Sequence, residues 1–217
     1  MYYGEISMMK ILIADDHAIV REGIKQILAE IPDNVTTDEA INGQEVLQKV
    51  WNNNYDLILL DISMPGRNGL DILTQLKSEQ PDLKILILSM HPEEQYAIRA
   101  LKAGASGYLT KESTPLELTE AIKKVSIGKK YVSASLAETL ASHLETTAEK
   151  PLHQTLSNRE YEVMCMIASG KTVKEIADYL SLSVKTISTY RTRILEKMNM
   201  KNNAQITHYT IQNRLVN

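Results

Sequence analysis

Between Lys10 and Gly128 the chain alternates short apolar runs with stretches whose apolar residues recur every three or four positions. The runs are KILIAD (10–15), VTTDEAI (35–41), DLILLDI (56–62), KILILSM (84–90) and SGYLTK (106–111). Their length and composition predict strands, and the stretches at 17–31, 43–53, 69–80, 92–103 and 115–127 predict helices. Pro92 sits at a first-turn position, and Gly104 follows the helix it opens. Thr114-Pro115-Leu116-Glu117 combines an N-cap, a first-turn proline and a capping-box glutamate, and Gly128 closes that helix. Five strand–helix repeats predict an α/β doubly wound, five-stranded parallel sheet with helices on both faces. The second run is the most polar, so it is expected at a sheet edge.

After Gly128 the pattern becomes purely helical. SASLAETLASHL (133–144) predicts a helix, with Ser135 and Glu138 as a capping box, and the aperiodic ETTAEKPLHQT (145–155) reads as a linker. TLSNREYEVMCMIASG then offers Ser157 as N-cap, Glu160 three residues on, apolar Val163, Met164, Ile167 and Ala168, and Gly170 as terminator. TVKEIADYL (172–180), the turn SLS and SVKTISTYRTRILEKM (183–198) follow, with a fourth helical stretch behind them. Helix, short turn and helix in this spacing outline a small all-α helix-turn-helix domain. The expected organisation is a first domain at 9–128, a helix and linker at 129–154 and a second domain at 155–217, with residues 1–8 as an extension.

Charge sharpens that division. Residues 1–150 carry a net −7 and residues 151–217 a net +4, so the second module is the one attracted to polyanions. Cys165 is the only cysteine, which excludes an internal disulfide and a cysteine zinc cluster, and the five histidines lack metal-ligand spacing. No run approaches 18 apolar residues and no cationic start precedes an apolar segment, so the expected setting is the cytoplasm, with no membrane partner.

The candidate chemistry begins with the adjacent Asp15 and Asp16 at the exit of the first strand. Two carboxylates about 4 Å apart repel by roughly 4 kcal/mol at an effective dielectric near 20, a cost that something must offset. In doubly wound sheets the carboxyl ends of the strands share one mouth, so Asp61, Ser89 and Lys111 are expected beside them. Oxygen ligands clustered in this way suit Mg²⁺. Asp61 follows a deeply apolar strand and can act as nucleophile towards a phosphoryl donor, while Lys111 and the Ser89 hydroxyl stabilise the phosphoryl oxygens. Asp16 alone would also serve as N-cap of the 17–31 helix. No glycine-rich loop follows the first strand, so a dinucleotide site is unsupported.

On the third helix of the second module, Val184, Ile187, Tyr190 or Arg191, Ile194 and Met198 predict the buried stripe. Lys185, Ser188, Thr189, Thr192 and Arg193 form the opposite face, where small hydroxyls flanked by cations suit entry into a DNA groove. The helix N-terminus near Ser183 also favours phosphate.

The segments ILIADDH, LILLDISMPGRNGL, ILILSM and GASGYLTKES resemble the flavodoxin-like receiver domain of two-component response regulators of the NarL/FixJ family. The resemblance implies Asp61 as phosphoacceptor, Asp16 as a direct Mg²⁺ ligand, Asp15 holding the metal largely through water, and the Ser63 backbone carbonyl completing the protein ligands. It further implies Lys111 on the phosphoryl group, and Ser89 with Tyr108 as coupled switch residues, the hydroxyl swinging towards the phosphoryl group as the ring turns inward. Glu112 stands where many receivers have a proline after the lysine.

TLSNREYEV…GKTVKEIADYLSLSVKTISTYRTRILEKM is similar to the LuxR-type helix-turn-helix domain, which adds Arg191 to the DNA-binding residues. Ser188 replaces a frequent lysine and Tyr190 a frequent histidine, so no particular operator sequence carries over. The expected function is a non-enzymatic transcription regulator. A sensor histidine kinase phosphorylates Asp61, and the activated homodimer binds double-stranded DNA. The alternative is a regulator whose receiver is a phosphorylation-independent dimerisation module. A phosphatase with an aspartate nucleophile would carry a second aspartate where this chain has Ser63.

Overall fold

The computed structural model describes residues 8–31, 35–145, 151–213 and 215–216, so most of the expected extension at 1–8 lies outside it. The chain divides into two compact units between Ala137 and Glu138.

In the first unit the strands β1 (Met9–Ala14), β2 (Val35–Ala40), β3 (Leu57–Leu60), β4 (Ile85–Ser89) and β5 (Gly107–Thr110) form one parallel sheet in the order β2-β1-β3-β4-β5. The polar second strand takes an edge, as its composition requires, and strand order reverses between β1 and β3. Every residue of β3 and β4 is buried. Alternation splits their side chains between the two faces. Ile11, Ile13, Leu57, Leu59, Leu86 and Leu88 share one cluster with Leu28 of α1 (Ala18–Ala29) and with Leu118, Ile122 and Val125 of α5 (Pro115–Ser126). On the other face lie α2 (Gly43–Asn52), α3 (Gly69–Glu79) and α4 (Glu93–Lys102).

Helix starts explain where the polar residues fall. The Thr114–Glu117 capping box is formed as read, with Thr114 N–H donating to Glu117 Oε2 at 2.7 Å. Asp16, by contrast, does not cap α1. His17 occupies that position without a side-chain cap bond, and its N–H donates to Asp15 Oδ1 at 2.8 Å. Pro92 is the N-cap of α4 rather than a residue of its first turn. The fold also continues past Gly128: Tyr131 bridges to Gly107, and α6 (Ala134–Glu145) is capped by Ser133 rather than Ser135, Leu136 N–H donating to Ser133 Oγ at 3.1 Å.

Gly69 opens α3 against the loop that follows β3. A Cβ there would lie 2.4 Å from the Asp61 carbonyl oxygen and 2.7 Å from Ile62 Cα, both backbone atoms that cannot swing aside. Gly69→Ala is therefore expected to cost about 1–3 kcal/mol through overpacking, read as a lowered urea midpoint.

The second unit holds α7 (Asn158–Ala168), α8 (Val173–Tyr179), α9 (Val184–Lys197) and α10 (Asn203–Gln212). Before them, in what the sequence reads as linker, Leu152–Thr155 forms a 3₁₀ turn, with His153 Nδ1 2.9 Å from the Tyr209 hydroxyl on α10. Tyr161, Met164, Ile176, Ile187, Ile194, Met198 and Ile206 make the core. Val184 departs from the expected stripe: as the first residue of α9 it is 51% exposed, whereas Ile187 one turn on is fully buried.

Buried Glu160 ties two of these helices together. It accepts the Ser157 N–H at 2.8 Å and the Lys197 ammonium at 2.6 Å, so the capping box of α7 also holds the end of α9. Burial pushes the Glu160 carboxyl up, but Lys197 and Ser157 outweigh it and leave the carboxyl below its ordinary 4.5. A depressed carboxyl stabilises the fold above its unfolded-state pKa, and that contribution disappears as pH falls through the folded value. The urea midpoint of this unit is therefore expected to drop as pH falls below 4.5, and Glu160→Gln is expected to flatten that dependence.

Candidate functional site

Backbone pairing brings the strand exits together. Asp15 N–H donates to Ala40 O at 3.0 Å, Asp61 N–H to Ala14 O at 2.9 Å and Lys111 N–H to Ser89 O at 2.8 Å. All four expected strand-end groups thus stand along one edge of the sheet. Lys111 Nζ lies 2.6 Å from Asp15 Oδ2 and 2.7 Å from Asp61 Oδ2, with Asp15 and Asp61 almost fully buried. The second oxygen of Asp61 accepts the Ser63 N–H at 3.1 Å. Ser89 is fully buried, and its Oγ accepts the His91 N–H at 3.1 Å.

Three carboxylates against one ammonium leave two negative charges over, a balance compatible with a bound divalent cation. Burial pushes the Asp61 carboxyl up, although Lys111 pulls the other way. For Lys111 burial favours the neutral amine, but Asp61 and Asp15 prevail and raise its pKa, so it stays an ammonium. One oxygen carries a more specific signal: Asp16 Oδ1 is buried and makes no hydrogen bond. His17 Nδ1 lies 2.9 Å from it without making a hydrogen bond, and oxygens of Asp15, Asp16 and Asp61 gather with that nitrogen within 4.8 Å of one another. A buried carboxylate oxygen without a hydrogen bond, in a cluster of three carboxylates, is a donor set that suits a hard cation.

Two histidines at this mouth were not picked out by sequence spacing. His17 approaches through its adjacency to Asp15 and Asp16, the one sequence signal that pointed to it. His91 closes the other side: its Nε2 is 3.0 Å from Ser63 Oγ, its ring packs on Tyr96 at 4.6 Å, and its carbonyl accepts the Tyr108 hydroxyl at 2.8 Å. The Tyr108 ring is fully buried.

In the second unit Ser183 caps α9, accepting the Thr186 N–H at 3.0 Å, and Ser181 takes φ +54° in the turn from α8. This turn sets α9 apart as the second helix of a helix-turn-helix. Lys185, Ser188, Thr189, Thr192 and Arg193 are exposed on it. Thr189 and Thr192 donate their hydroxyl protons to Lys185 O and Ser188 O, leaving oxygen lone pairs facing solvent. Arg191 differs from the rest: it is half-buried, and its Nε donates to Asn203 Oδ1 on α10 at 2.6 Å.

Residues 11–123 match the response regulator receiver domain, and residues 154–210 match the bacterial regulatory proteins of the LuxR family. The response regulator UvrY of Escherichia coli is 36% identical over 211 residues, covering 97% of each chain. The oxygen regulatory protein NreC of Staphylococcus carnosus is 36% identical over 215 residues, 96% of this chain and 99% of the other. Among solved structures, RcsB of Salmonella typhimurium aligns over 94% of this chain and 98% of its own with a TM-score of 0.58 at 28% identity. A LuxR-family two-component regulator from Aurantimonas aligns over 64% of this chain and all of its own with a TM-score of 0.59 at 32% identity.

Proposed function

Because the chain belongs to the NarL/FixJ family of response regulators, which join a receiver to a LuxR-type DNA-binding domain, we propose that phosphorylation of Asp61 controls its binding to DNA. A sensor histidine kinase is the donor. An Asp61 carboxylate oxygen attacks phosphorus, the nitrogen–phosphorus bond of the kinase's phosphohistidine breaks, and the imidazole leaves. Lys111, held as an ammonium between Asp15 and Asp61, places fixed positive charge beside the oxygens being transferred. Asp15, Asp16, Asp61 and the Ser63 carbonyl would hold Mg²⁺, which would supply further positive charge to the transferred oxygens. Ser89, at the end of β4, donates its hydroxyl proton to a phosphoryl oxygen, and Tyr108 follows as its switch partner.

The observation that carries this reading is the buried Asp16 oxygen without a hydrogen bond beside the Lys111-bridged pair, three carboxylates gathered around one ammonium. Incubation with Mg²⁺ and phosphoramidate, followed by peptide mass spectrometry, tests it. The expected result is one phosphoryl group on Asp61 that EDTA prevents. Lack of uptake would instead favour the receiver as a phosphorylation-independent dimerisation module.

Output is through the second domain. RcsB has been solved bound to promoter DNA in the presence of a phosphomimetic, and as two dimers on parallel DNAs. In this chain Lys185, Ser188, Thr189, Arg191, Thr192 and Arg193 are the proposed contact residues, and the active form is a homodimer on double-stranded DNA. None of the described helices is long and apolar enough to cross a membrane. As a receiver joined to a DNA-binding domain, the regulator works in the cytoplasm as a switch rather than an enzyme.

A further inference from the structure

A set of contacts in the first unit joins the phosphorylation mouth to the start of α6. Met90, His91 and Pro92 connect the end of β4 to Glu93, the first residue of α4. At one end of this segment, His91 is tied to both switch residues: its N–H donates to Ser89 Oγ and its carbonyl accepts the Tyr108 hydroxyl. Its ring reaches Ser63 Oγ, two residues from Asp61. At the other end, a single oxygen of Glu93 accepts two hydroxyls, Ser133 Oγ at 2.5 Å and Ser135 Oγ at 2.8 Å. Ser133 is the N-cap of α6, and Leu136, one turn in, is 1% exposed. The chain therefore leaves the receiver through a helix whose first turn is held by the residue that opens α4.

We propose that Glu93 is a positioning residue that transmits the state of Asp61 to α6 through its grip on Ser133 and Ser135. The inference rests on the phosphorylation reading above. A Ser89 hydroxyl turned towards a phosphoryl group no longer holds the His91 N–H as it does here, and the change passes through Pro92, the N-cap of α4, to Glu93. Two charge-assisted hydrogen bonds on one carboxylate oxygen then carry it to the cap of α6. The grip on Ser133 and Ser135 is made by Glu93, which is not one of the residues proposed to carry out phosphoryl transfer, so the link is separable from phosphoryl chemistry. The Ser135 hydroxyl, expected to cap the helix, joins this grip instead, and Ser133 caps in its place.

The test uses the full chain, phosphoramidate with Mg²⁺, and a duplex selected from random DNA by the phosphorylated wild type. Two quantities are read: the rate of phosphoryl uptake, and the ratio of Kd without and with phosphorylation. Coupling of this kind is typically worth about 5- to 150-fold in affinity. Glu93→Ala is expected to leave uptake within about twofold while the Kd ratio falls at least about fivefold towards one. Glu93→Gln, whose amide oxygen still accepts both hydroxyls, is expected to keep the wild-type ratio, and Ser135→Ala, which spares the cap, to lower it part-way. A wild-type ratio in Glu93→Ala, or equal losses in Glu93→Ala and Glu93→Gln, overturns the proposal while leaving phosphorylation control intact. A wild type that takes up no phosphoryl group, or whose Kd ratio is one, overturns both.

Discussion

Asp61→Asn is expected to take up no measurable phosphoryl group from phosphoramidate under conditions that phosphorylate the wild type fully. Loss of an obligatory nucleophile commonly costs more than about 10³-fold, because nothing else at the site can form the covalent bond. The variant should nevertheless fold. Asparagine matches aspartate in shape, Lys111 retains Asp15 as a partner, and the change removes one of two excess negative charges. Since burial already pushes the Asp61 carboxyl towards its neutral form, the urea midpoint of Asp61→Asn should equal or exceed that of the wild type. A large fall in the midpoint would mean that the carboxylate is kept for packing, and loss of uptake would then report unfolding rather than chemistry.

The second large effect concerns α9. Lys185→Ala and Arg193→Ala are each expected to weaken binding of the phosphorylated chain to its selected duplex by about 1–3 kcal/mol if they read base edges. A side chain that only neutralises phosphate would weaken all sequences alike, and its loss would lower the slope of log K against log salt by about 0.9. Both residues are exposed, so their removal should change stability by no more than about 0.5 kcal/mol. Fluorescence anisotropy across a salt series separates the two roles. Arg191 is a contrast case, since its guanidinium is tethered to Asn203, and Arg191→Ala should loosen the packing of α9 on α10 as well as DNA binding.

The strands were legible because buried parallel strands admit almost only apolar residues, and β3 and β4 carry no polar residue before Ser89. The convergence of Asp15, Asp61, Ser89 and Lys111 followed from topology alone, since parallel strands must end on one side. Side chains with two competing uses were harder to read. Asp16 and Ser135 both stand where a cap is chemically suitable, and sequence periodicity cannot tell which neighbour wins; the structure gives those positions to His17 and Ser133. His91 reaches the mouth through a bend after β4 that no period records, and Gly69 matters through a backbone approach that leaves no polar signature. Val184 fits the helical stripe numerically, yet a stripe extends only as far as the helices that cover it.

The account stands most directly on the affinity of the full chain for its selected DNA duplex, measured at one salt concentration with and without phosphorylation of Asp61. The predicted result is tighter binding by the phosphorylated wild type, abolished in Asp61→Asn, whose affinity stays at the unphosphorylated level with or without phosphoramidate. Equal affinity for the phosphorylated and unphosphorylated wild type would contradict the claim that this receiver controls its DNA-binding domain.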